Sequence, residues 1–284
     1  MPEIPEVEAI ALQLAARTAG KVVVAGRLMA FSALKTYVLG LESLAGLEVS
    51  GVTRHGKFID LEAQGVHLIF HLARAGWVTW HAEVPRTLPR PGKSPLALRI
   101  EFDDGSGFSL TEAGSQRHLA VYVVASPGEV PGIAALGPDP LDENFTVEVL
   151  TEILQAAGRG QVKGVLRDQK LIAGIGNAFS DEILHASRLS PFKPANTVDA
   201  EDLHAHILAV LTGALEAVKG VDIGKLKDAK RSGLRVHGRA GEPCDVCGTT
   251  IAEVSFADSS LQYCPGCQTG GKPLADRRMS KLLK

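Results

Sequence analysis

The residues best suited to chemistry stand at the start of the chain, in the stretch MPEIPEVE at residues 1–8. Removal of the methionine would leave Pro2 with a free secondary amine. An α-amino group has a pKa near ~8, so a useful fraction is uncharged and nucleophilic at neutral pH. Such an amine can attack an aldehyde-like carbon and form an iminium ion, and Glu3 is placed to transfer protons for it. The alternative is an ordinary helix start, because Pro and Glu are common in a first helical turn.

All four cysteines fall in two CxxC pairs that are separated by sixteen residues: Cys244, Cys247, Cys264 and Cys267. Two such pairs are typical of zinc sites. Four thiolates complete a closed tetrahedral shell, so we expect one structural Zn²⁺ with no position open to a substrate. The segment between the pairs, TTIAEVSFADSSLQY, alternates like a β-hairpin. The pattern therefore predicts a two-stranded zinc ribbon.

Two further motifs could bind phosphate. Lys57 follows a glycine in RHGKF, where a lysine can reach a phosphate or a developing alkoxide. Asn177 ends the turn GIGN ahead of a predicted helix, so backbone N–H groups and the Asn177 amide could form an anion site. The alternatives are a solvated charge for Lys57 and a helix-packing turn for Asn177.

Polar residues also interrupt apolar strands at two places. Arg74 lies in HLARAGW, and Gln116, Arg117 and His118 stand together ahead of another strand. They could be loop tips that probe a groove, although each by itself is also typical of an ordinary turn.

Charge is unevenly distributed along the 284 residues, whose net charge is −2. Residues 1–218 carry 18 basic and 25 acidic side chains, whereas residues 219–284 carry 12 and 7. A basic C-terminal module on an acidic body suits an anionic polymer as partner, although a solvated basic tail would have the same composition. No apolar run is long enough for a bilayer, and no signal-peptide pattern is present. We expect a cytoplasmic protein without a membrane partner.

The periodicity predicts an α+β multidomain protein. A helical pattern at residues 6–19 precedes β-rich runs up to about residue 127, which favour an antiparallel β-sandwich. Helical patterns return between about 146 and 220, and a polar, basic loop then leads to the cysteines. The predicted division is a β-sandwich catalytic domain at 1–135, a linker at 136–145, a helical domain at 146–240, a zinc finger at 241–270 and a basic tail at 271–284.

Taken together, PEIPEVE, the HGKF lysine, the GIGN turn and CxxC–x16–CxxC resemble the Fpg/Nei family of DNA glycosylases, in a divergent bacterial form. The resemblance covers nearly the whole chain. It implies a two-sheet β-sandwich, a helical domain with a helix-two-turn-helix motif, and a four-cysteine zinc finger. Damaged double-stranded DNA would be the partner, zinc the only cofactor, and the protein a monomer that associates with the nucleoid when bound to DNA.

The resemblance also implies a mechanism for a bifunctional DNA glycosylase/AP lyase of base excision repair. The enzyme flips out a damaged nucleotide. Pro2 attacks C1′ of the sugar while Glu3 protonates the ring oxygen, and β,δ-elimination then removes the flanking phosphates. Lys57 and Asn177 would hold phosphates near the lesion. Glu6 and Glu182 match acidic positions near the site.

The chain departs from the family pattern at positions of DNA recognition. The methionine wedge of the formamidopyrimidine branch is replaced by Arg74, and an Arg-Arg-Phe segment by residues 116–118. Ser259 stands where the zinc hairpin has a phosphate-binding arginine, and the lesion-covering loop is altered. Arg74 or His118 could fill the vacated base stack. Oxidised purines are the expected lesion, with oxidised pyrimidines and abasic sites left open.

Two other functions fit parts of the sequence. One is a non-catalytic zinc-ribbon protein that binds damaged DNA without cutting it, and the other is a structural or RNA-associated zinc factor. Pro2 and Glu3 count against the first, because a pure binder has no use for a secondary amine beside a carboxylate.

Overall fold

The computed structural model describes residues 1–87, 89, 94–114, 116–256 and 259–275. The chain forms two compact units. The first comprises Met1–Leu136 with Val218–Lys227, and the second comprises Gly137–Ala217 with the residues from Asp228 onward. The functional boundaries of the predicted modules stay a prediction. Most of the predicted basic tail, residues 276–284, lies outside the described residues.

The first unit is an antiparallel β-sandwich with a helix packed against it. Its strands are β1 (Val23–Leu28), β2 (Val49–His55), β3 (Phe58–Ala63), β4 (Val66–His71), β5 (Gly76–His81), β6 (Leu96–Phe102), β7 (Gly107–Glu112) and β8 (Ala120–Val124). They form two four-stranded sheets, in the orders β1-β6-β7-β5 and β2-β3-β4-β8. Phe70 of one sheet and Phe108 of the other are fully buried, with ring centroids 6.0 Å apart. The predicted sandwich is thus confirmed.

Helix α1 (Ile4–Thr18) packs against β2 and β3. Its apolar side chains recur at helical spacing, and Ile4, Ile10 and Leu14 are fully buried. The predicted helix at 6–19 is confirmed with its start two residues earlier. A short helix, α2 (Pro131–Ala134), lies close to the end of the first unit.

The second unit is helical and carries one hairpin. Its helices are α3 (Val147–Ala157), α4 (Val162–Arg167), α5 (Asn177–Ala186), α6 (Ala200–Val218), α7 (Leu226–Gly233) and α8 (Pro265–Gln268), where α6 and α7 each extend by one or two residues into the first unit. Strands β9 (Ala252–Ser255) and β10 (Ser260–Tyr263) pair antiparallel between the two cysteine pairs. The predicted helical region and zinc-ribbon hairpin are both confirmed.

The segment after α6 differs from the expected basic loop. A 3-10 turn at Ile223–Lys225 leads directly into α7. The Asp222 carboxylate accepts a hydrogen bond from the Gly224 N–H at 2.9 Å and so caps the turn. Ile223 and Leu226 are buried. The sequence prediction gave too little weight to this cap and to two apolar residues among many charges. Among the residues that the structure describes, no helix is both long and apolar enough to span a bilayer.

Candidate functional site

The N-terminal residues are fixed by a reciprocal helix cap. Glu3 is the N-cap of α1, and its carboxylate accepts a hydrogen bond from the Glu6 N–H. In return, Glu6 Oε2 accepts from the Glu3 N–H at 2.8 Å. Pro2, Glu3 and Glu6 are buried, whereas Met1 is half exposed. The helix-start interpretation is therefore correct as local structure. The same cap is compatible with proton transfer by Glu3, because it holds the Glu3 carboxylate in one orientation beside Pro2.

The hairpin that carries Lys57 is tied to the same helix. Gly56 adopts a left-handed φ of 56°, which a glycine tolerates without strain. Arg54 donates from Nε to the Glu8 carboxylate of α1 at 2.6 Å and from Nη1 to the Gly56 carbonyl at 3.0 Å. Lys57 is only 6% exposed. A solvated surface charge is thus wrong for Lys57, since the residue as a whole is buried.

His71 is a neighbour of Lys57 that the sequence analysis missed. It pairs with Phe58 in the sheet, and the two rings stack obliquely with centroids 4.9 Å apart. Burial, and then the positive charge of Lys57, lower the pKa of His71 to about 4. The imidazole is therefore neutral at pH 7, and its Nδ1 accepts from the Ala73 N–H at 3.3 Å. The sequence feature that could have indicated His71 as a site residue is its position at the end of an apolar strand.

Strand register brings three connections to one end of the sandwich. Phe58, which follows the Lys57 turn, pairs with His71, and His71 pairs with Ala120. In the other sheet Gly76 pairs with Glu112. The Lys57 turn, the turn at 72–75 and the described residues 113–114 and 116–119 consequently lie side by side. Because Arg54 anchors α1 at this end, the Lys57 turn is tied to the helix that Pro2 and Glu3 begin.

Both groups of predicted loop-tip residues are exposed at this end. Arg74 lies in the 72–75 turn, and residues 116–118 lie in the neighbouring loop. The 72–75 turn requires Gly76, because a Cβ there would lie 2.1 Å from the Leu72 carbonyl oxygen.

Glu112, which the sequence analysis also missed, orders the neighbouring loop. It is buried and accepts from the N–H groups of His118 and Leu119 at 3.0 and 2.8 Å. Arg117 donates to the Ser94 carbonyl at 3.1 Å. A role for Arg74, Gln116, Arg117 and His118 in DNA binding stays a prediction.

In the second unit, Asn177 begins α5 directly after the GIG turn. Its Nδ2 donates to the Ser260 carbonyl of β10 at 2.7 Å, which leaves one amide N–H for a ligand. Its Oδ1 is buried and has no hydrogen-bond partner among the described residues. Ser259, where the resemblance expects an arginine, instead accepts from the Phe256 N–H through its carbonyl at 2.8 Å. The Asn177 turn is therefore joined to the ribbon by backbone and amide groups.

Glu182 holds the chain just ahead of the zinc ribbon. Its carboxylate accepts from three consecutive backbone N–H groups, those of Arg235, Val236 and His237, at 2.8–3.0 Å. Burial raises its pKa, and the three N–H groups oppose that rise. These contacts give Glu182 an evident structural task, and a direct contact with DNA stays a prediction.

Three of the four cysteines converge with His185 as a metal site requires, and Cys247 adjoins them through Cys264. The sulfurs of Cys244, Cys264 and Cys267 and a ring nitrogen of His185 all lie within 4.8 Å of one another. Cys247 Sγ is 3.3 Å from Cys264 Sγ, and Cys244 Sγ is 3.9 Å from Cys267 Sγ. Sulfurs at the corners of a tetrahedron around zinc would be about 3.8 Å apart, given Zn–S bonds near ~2.3 Å. The donor set fits zinc, and His185 is an additional donor that the spacing of the cysteines does not reveal.

Three family models match the chain. They are the formamidopyrimidine-DNA glycosylase N-terminal domain over residues 1–117, the formamidopyrimidine-DNA glycosylase H2TH domain over 136–224, and the zinc finger found in FPG and IleRS over 241–270. The chain therefore contains a zinc-finger domain of this type.

Named relatives and solved structures agree with these matches. The formamidopyrimidine-DNA glycosylase of Symbiobacterium thermophilum is 33% identical over 98% of this chain and 93% of its own length. An uncharacterized formamidopyrimidine-DNA glycosylase-like protein of Mycobacterium tuberculosis is 55% identical, over 53% of this chain and 95% of its own length. The Lactococcus lactis Fpg structure bound non-covalently to DNA containing an AP site superposes with a TM-score of 0.78, at 26% identity, over 94% of this chain and 99% of that one.

Proposed function

The chain belongs to the formamidopyrimidine-DNA glycosylase family and is a DNA glycosylase of base excision repair, and we propose that its reaction begins at Pro2. Loss of Met1 exposes the secondary amine at the head of α1. The amine attacks C1′ of the damaged nucleotide, the C1′–O4′ bond opens, and the damaged base leaves with its bonding electrons. The buried position of Pro2 supports this role, because an amine shielded from water keeps a larger uncharged fraction.

Glu3 supplies the proton for ring opening. Its carboxyl group lies next to Pro2 in sequence and is held in one orientation by the cap with Glu6. Protonation of O4′ makes the sugar oxygen a better leaving group from C1′. The capping box is the single observation that carries the proposal, because it places an amine and an oriented carboxyl at the same buried helix end.

Strand cleavage follows from the iminium ion. The positive nitrogen acidifies the C2′–H bond, so loss of that proton expels the 3′ phosphate by β-elimination. A further δ-elimination removes the 5′ phosphate and leaves a one-nucleotide gap. AP lyase activity is a property of the family, and this chain retains the amine that it requires.

The phosphates on either side of the lesion are held by separate groups. Lys57 contributes a charge, and neutral His71 beside it can donate one hydrogen bond from Nε2 without adding a second charge. Asn177 contributes its remaining amide N–H together with the N-terminus of α5. We expect the exposed residues Arg74 and Gln116–His118 to contact the base stack and to influence which oxidised base is preferred.

Zinc has a structural part in this proposal. Cys244, Cys247, Cys264 and Cys267 would hold one Zn²⁺ in a closed shell, which stabilises the ribbon and offers no open position for substrate. We further propose that the protein acts as a monomer on damaged duplex DNA in the bacterial cytoplasm. The neighbouring Lactococcus lactis structure, which contains Fpg on abasic-site DNA, supports this choice of partner.

Borohydride trapping tests the nucleophile. The protein is incubated with duplex DNA that contains an abasic site, and borohydride is added to reduce the iminium. We expect a covalent adduct with the wild-type protein and none with Pro2→Gly, while the matched variant Pro5→Gly, three residues further into the helix, retains it. Because the glycine α-amine that Pro2→Gly creates also forms imines, any adduct that survives in this variant is located by peptide mass spectrometry, and an adduct on a lysine would assign the nucleophile to that lysine. No adduct with any variant would favour the non-catalytic DNA-binding alternative.

A further inference from the structure

Helix α5 bears a polar stripe that faces the zinc ribbon. Asn177, Asp181 and His185 are spaced four residues apart and so lie along one side of the helix. Each contacts the ribbon or its metal shell. Asn177 Nδ2 donates to the Ser260 carbonyl at 2.7 Å, Asp181 Oδ2 accepts from the Gln262 N–H at 3.2 Å, and His185 Nε2 lies 3.4 Å from Cys244 Sγ.

The spacing of these contacts matches the geometry of the two elements. Four residues of an α-helix rise about 6 Å, and two residues of a β-strand advance about 6.6 Å. Asn177 and Asp181 therefore meet Ser260 and Gln262 in step along β10. The next residue along the stripe, His185, contacts Cys244 of the cysteine cluster.

The middle contact is fixed by a buried charge network. Asp181 is fully buried, and its Oδ1 pairs with Lys163 Nζ at 2.6 Å. Its Oδ2 also lies 2.7 Å from His237 Nδ1. A buried carboxylate with partners on α4, on β10 and on the segment before the ribbon cannot shift without exposing an unpaired charge. The register of α5 on the ribbon is consequently rigid at this point.

We infer that His185 donates an N–H···S hydrogen bond to the Cys244 thiolate of the zinc shell and is a positioning residue that links the metal to the Asn177 end of α5. The histidine is 4% exposed, and its 3.4 Å approach lies within hydrogen-bond range for a sulfur acceptor. The two CxxC pairs predict the four cysteines as ligands, and a structural zinc takes four. A fifth donor at this distance therefore acts on a ligand, and donors to metal ligands tune affinity.

The link from the zinc shell through His185 to Asn177 has a consequence for DNA binding. This consequence rests on the proposed contact between Asn177 and a DNA phosphate. A zinc shell that loses the hydrogen bond from His185 holds the ribbon less firmly against α5. The Ser260 carbonyl, which orients the Asn177 amide, belongs to that ribbon. Loosening at the zinc end of the stripe should thus reach the phosphate end.

Zinc release from the full-length protein tests the hydrogen bond without any DNA. The variants are His185→Phe, which removes the donor, and His185→Gln, which keeps an N–H. The control is His206→Phe on α6, which is remote in sequence from the stripe. With a colorimetric chelator in excess, we expect His185→Phe to bind zinc about 10- to 100-fold more weakly, His185→Gln to lie between it and wild type, and the control to match wild type. A wild-type affinity in His185→Phe overturns the inference. If that variant fails to fold, His185→Leu, which also lacks a donor, takes its place, and a wild-type affinity in it overturns the inference instead.

Cobalt substitution distinguishes a hydrogen-bond donor from a ligand. Thiolate-to-cobalt absorption reports how many sulfurs bind the metal. We expect four-thiolate intensity in wild type and an unchanged intensity in His185→Phe. A three-thiolate spectrum in wild type would make His185 a direct ligand and overturn the inference.

Binding to duplex DNA with a tetrahydrofuran abasic analogue then tests the coupling. We expect His185→Phe to bind more weakly, while trapping at saturating abasic-site DNA keeps its wild-type rate. Weaker zinc binding with unchanged DNA affinity would retain the hydrogen bond but overturn the coupling to Asn177. Because zinc affinity is measured on free protein, its outcome is independent of the proposed reaction at Pro2.

Discussion

The N-terminal corner of the first unit and the zinc ribbon of the second hold their functional groups in different ways. Pro2 and Glu3 are fixed by neighbours within one helical turn, through hydrogen bonds with Glu6. The ribbon is fixed by contacts across the sequence, such as Asp181 with Gln262 and Glu182 with the segment at 235–237. The first arrangement should tolerate a conservative change of side chain, whereas the second should fail as a unit.

Local capping also explains how one carboxylate can serve both structure and chemistry. A capping oxygen needs only to accept a hydrogen bond, whereas a ring-opening acid must also carry a proton. The two tasks can therefore be separated by a substitution that keeps the acceptor and removes the acid. The zinc ribbon offers no such separation, because the cysteines that bind the metal are the same residues that hold the ribbon together.

The largest effect is expected from Cys264→Ser in the ribbon. Structural zinc sites in small fingers contribute on the order of 10–16 kcal/mol to folding, and Cys264 lies at the junction of β10 and α8. We expect loss of the metal, at least ~100-fold weaker binding to abasic-site duplex, and a β-sandwich that still melts cooperatively. Elemental analysis, titration with labelled DNA and near-UV circular dichroism measure the three quantities. Unchanged DNA affinity would show that the ribbon is not a DNA-binding element.

Binding at several salt concentrations serves as a control for this variant. The remaining phosphate contacts should still give an affinity that falls as salt rises, with a smaller slope than in wild type. An identical slope would mean that the ribbon contributes no phosphate contact.

Glu3→Gln, unlike Cys264→Ser, should leave the fold intact and affect chemistry alone. Glutamine can accept the same capping hydrogen bond, so we expect the free energy of unfolding to change by less than about 1 kcal/mol. Base excision should fall by about 10²–10⁴-fold, as is typical when a general acid is removed, while cleavage of a preformed abasic site falls far less. Single-turnover assays on the two substrates measure the difference. Equal losses would argue against Glu3 as the acid that opens the sugar.

Sequence reasoning succeeded where structure is local or periodic. The amphipathic pattern predicted α1, the alternation predicted the sandwich strands and the ribbon hairpin, and the CxxC spacing predicted the cysteine cluster. It also placed Lys57 in a turn after a glycine and Asn177 at the junction of a glycine turn and a helix, which the structure shows. These features depend on short-range geometry that a single stretch of residues encodes.

The residues that were missed depend on long-range contacts. His71 becomes notable only through its neighbour Lys57, and His185 only through Cys244, which is 59 residues away. Lys163 likewise resembles a surface lysine in VKGVLR but is buried against Asp181. No periodicity indicates such pairs, because the fold alone brings them together. The helix at 226–233 was missed for another reason, since its many charges masked a cap and two buried residues.

The smallest of these effects is a dependence of the free energy of unfolding on pH that arises from His71. The pKa of this histidine is about 4 in the folded protein and about 6.5 in an unfolded chain. Below pH 6.5 the unfolded state therefore binds a proton that the folded state does not, so stability falls as the pH decreases towards 4. We expect a loss of about 2 kcal/mol between pH 7 and pH 5 from this group.

Urea denaturation of wild type and His71→Asn at both pH values isolates this contribution, since all other titrating groups are common to the two proteins. The difference between their free energies of unfolding should shrink as the pH falls, because wild type alone loses the contribution of a neutral, buried imidazole. His81→Asn is a suitable control: burial and Arg99 lower its pKa as well, but it is more exposed than His71 and should give a smaller effect. A difference that stays constant with pH would show that His71 can accept a proton in the folded state. Solvent would then reach the Lys57 turn and screen the lysine charge. The Lys57 turn would thus be more open than the ribbon, whose contacts are buried.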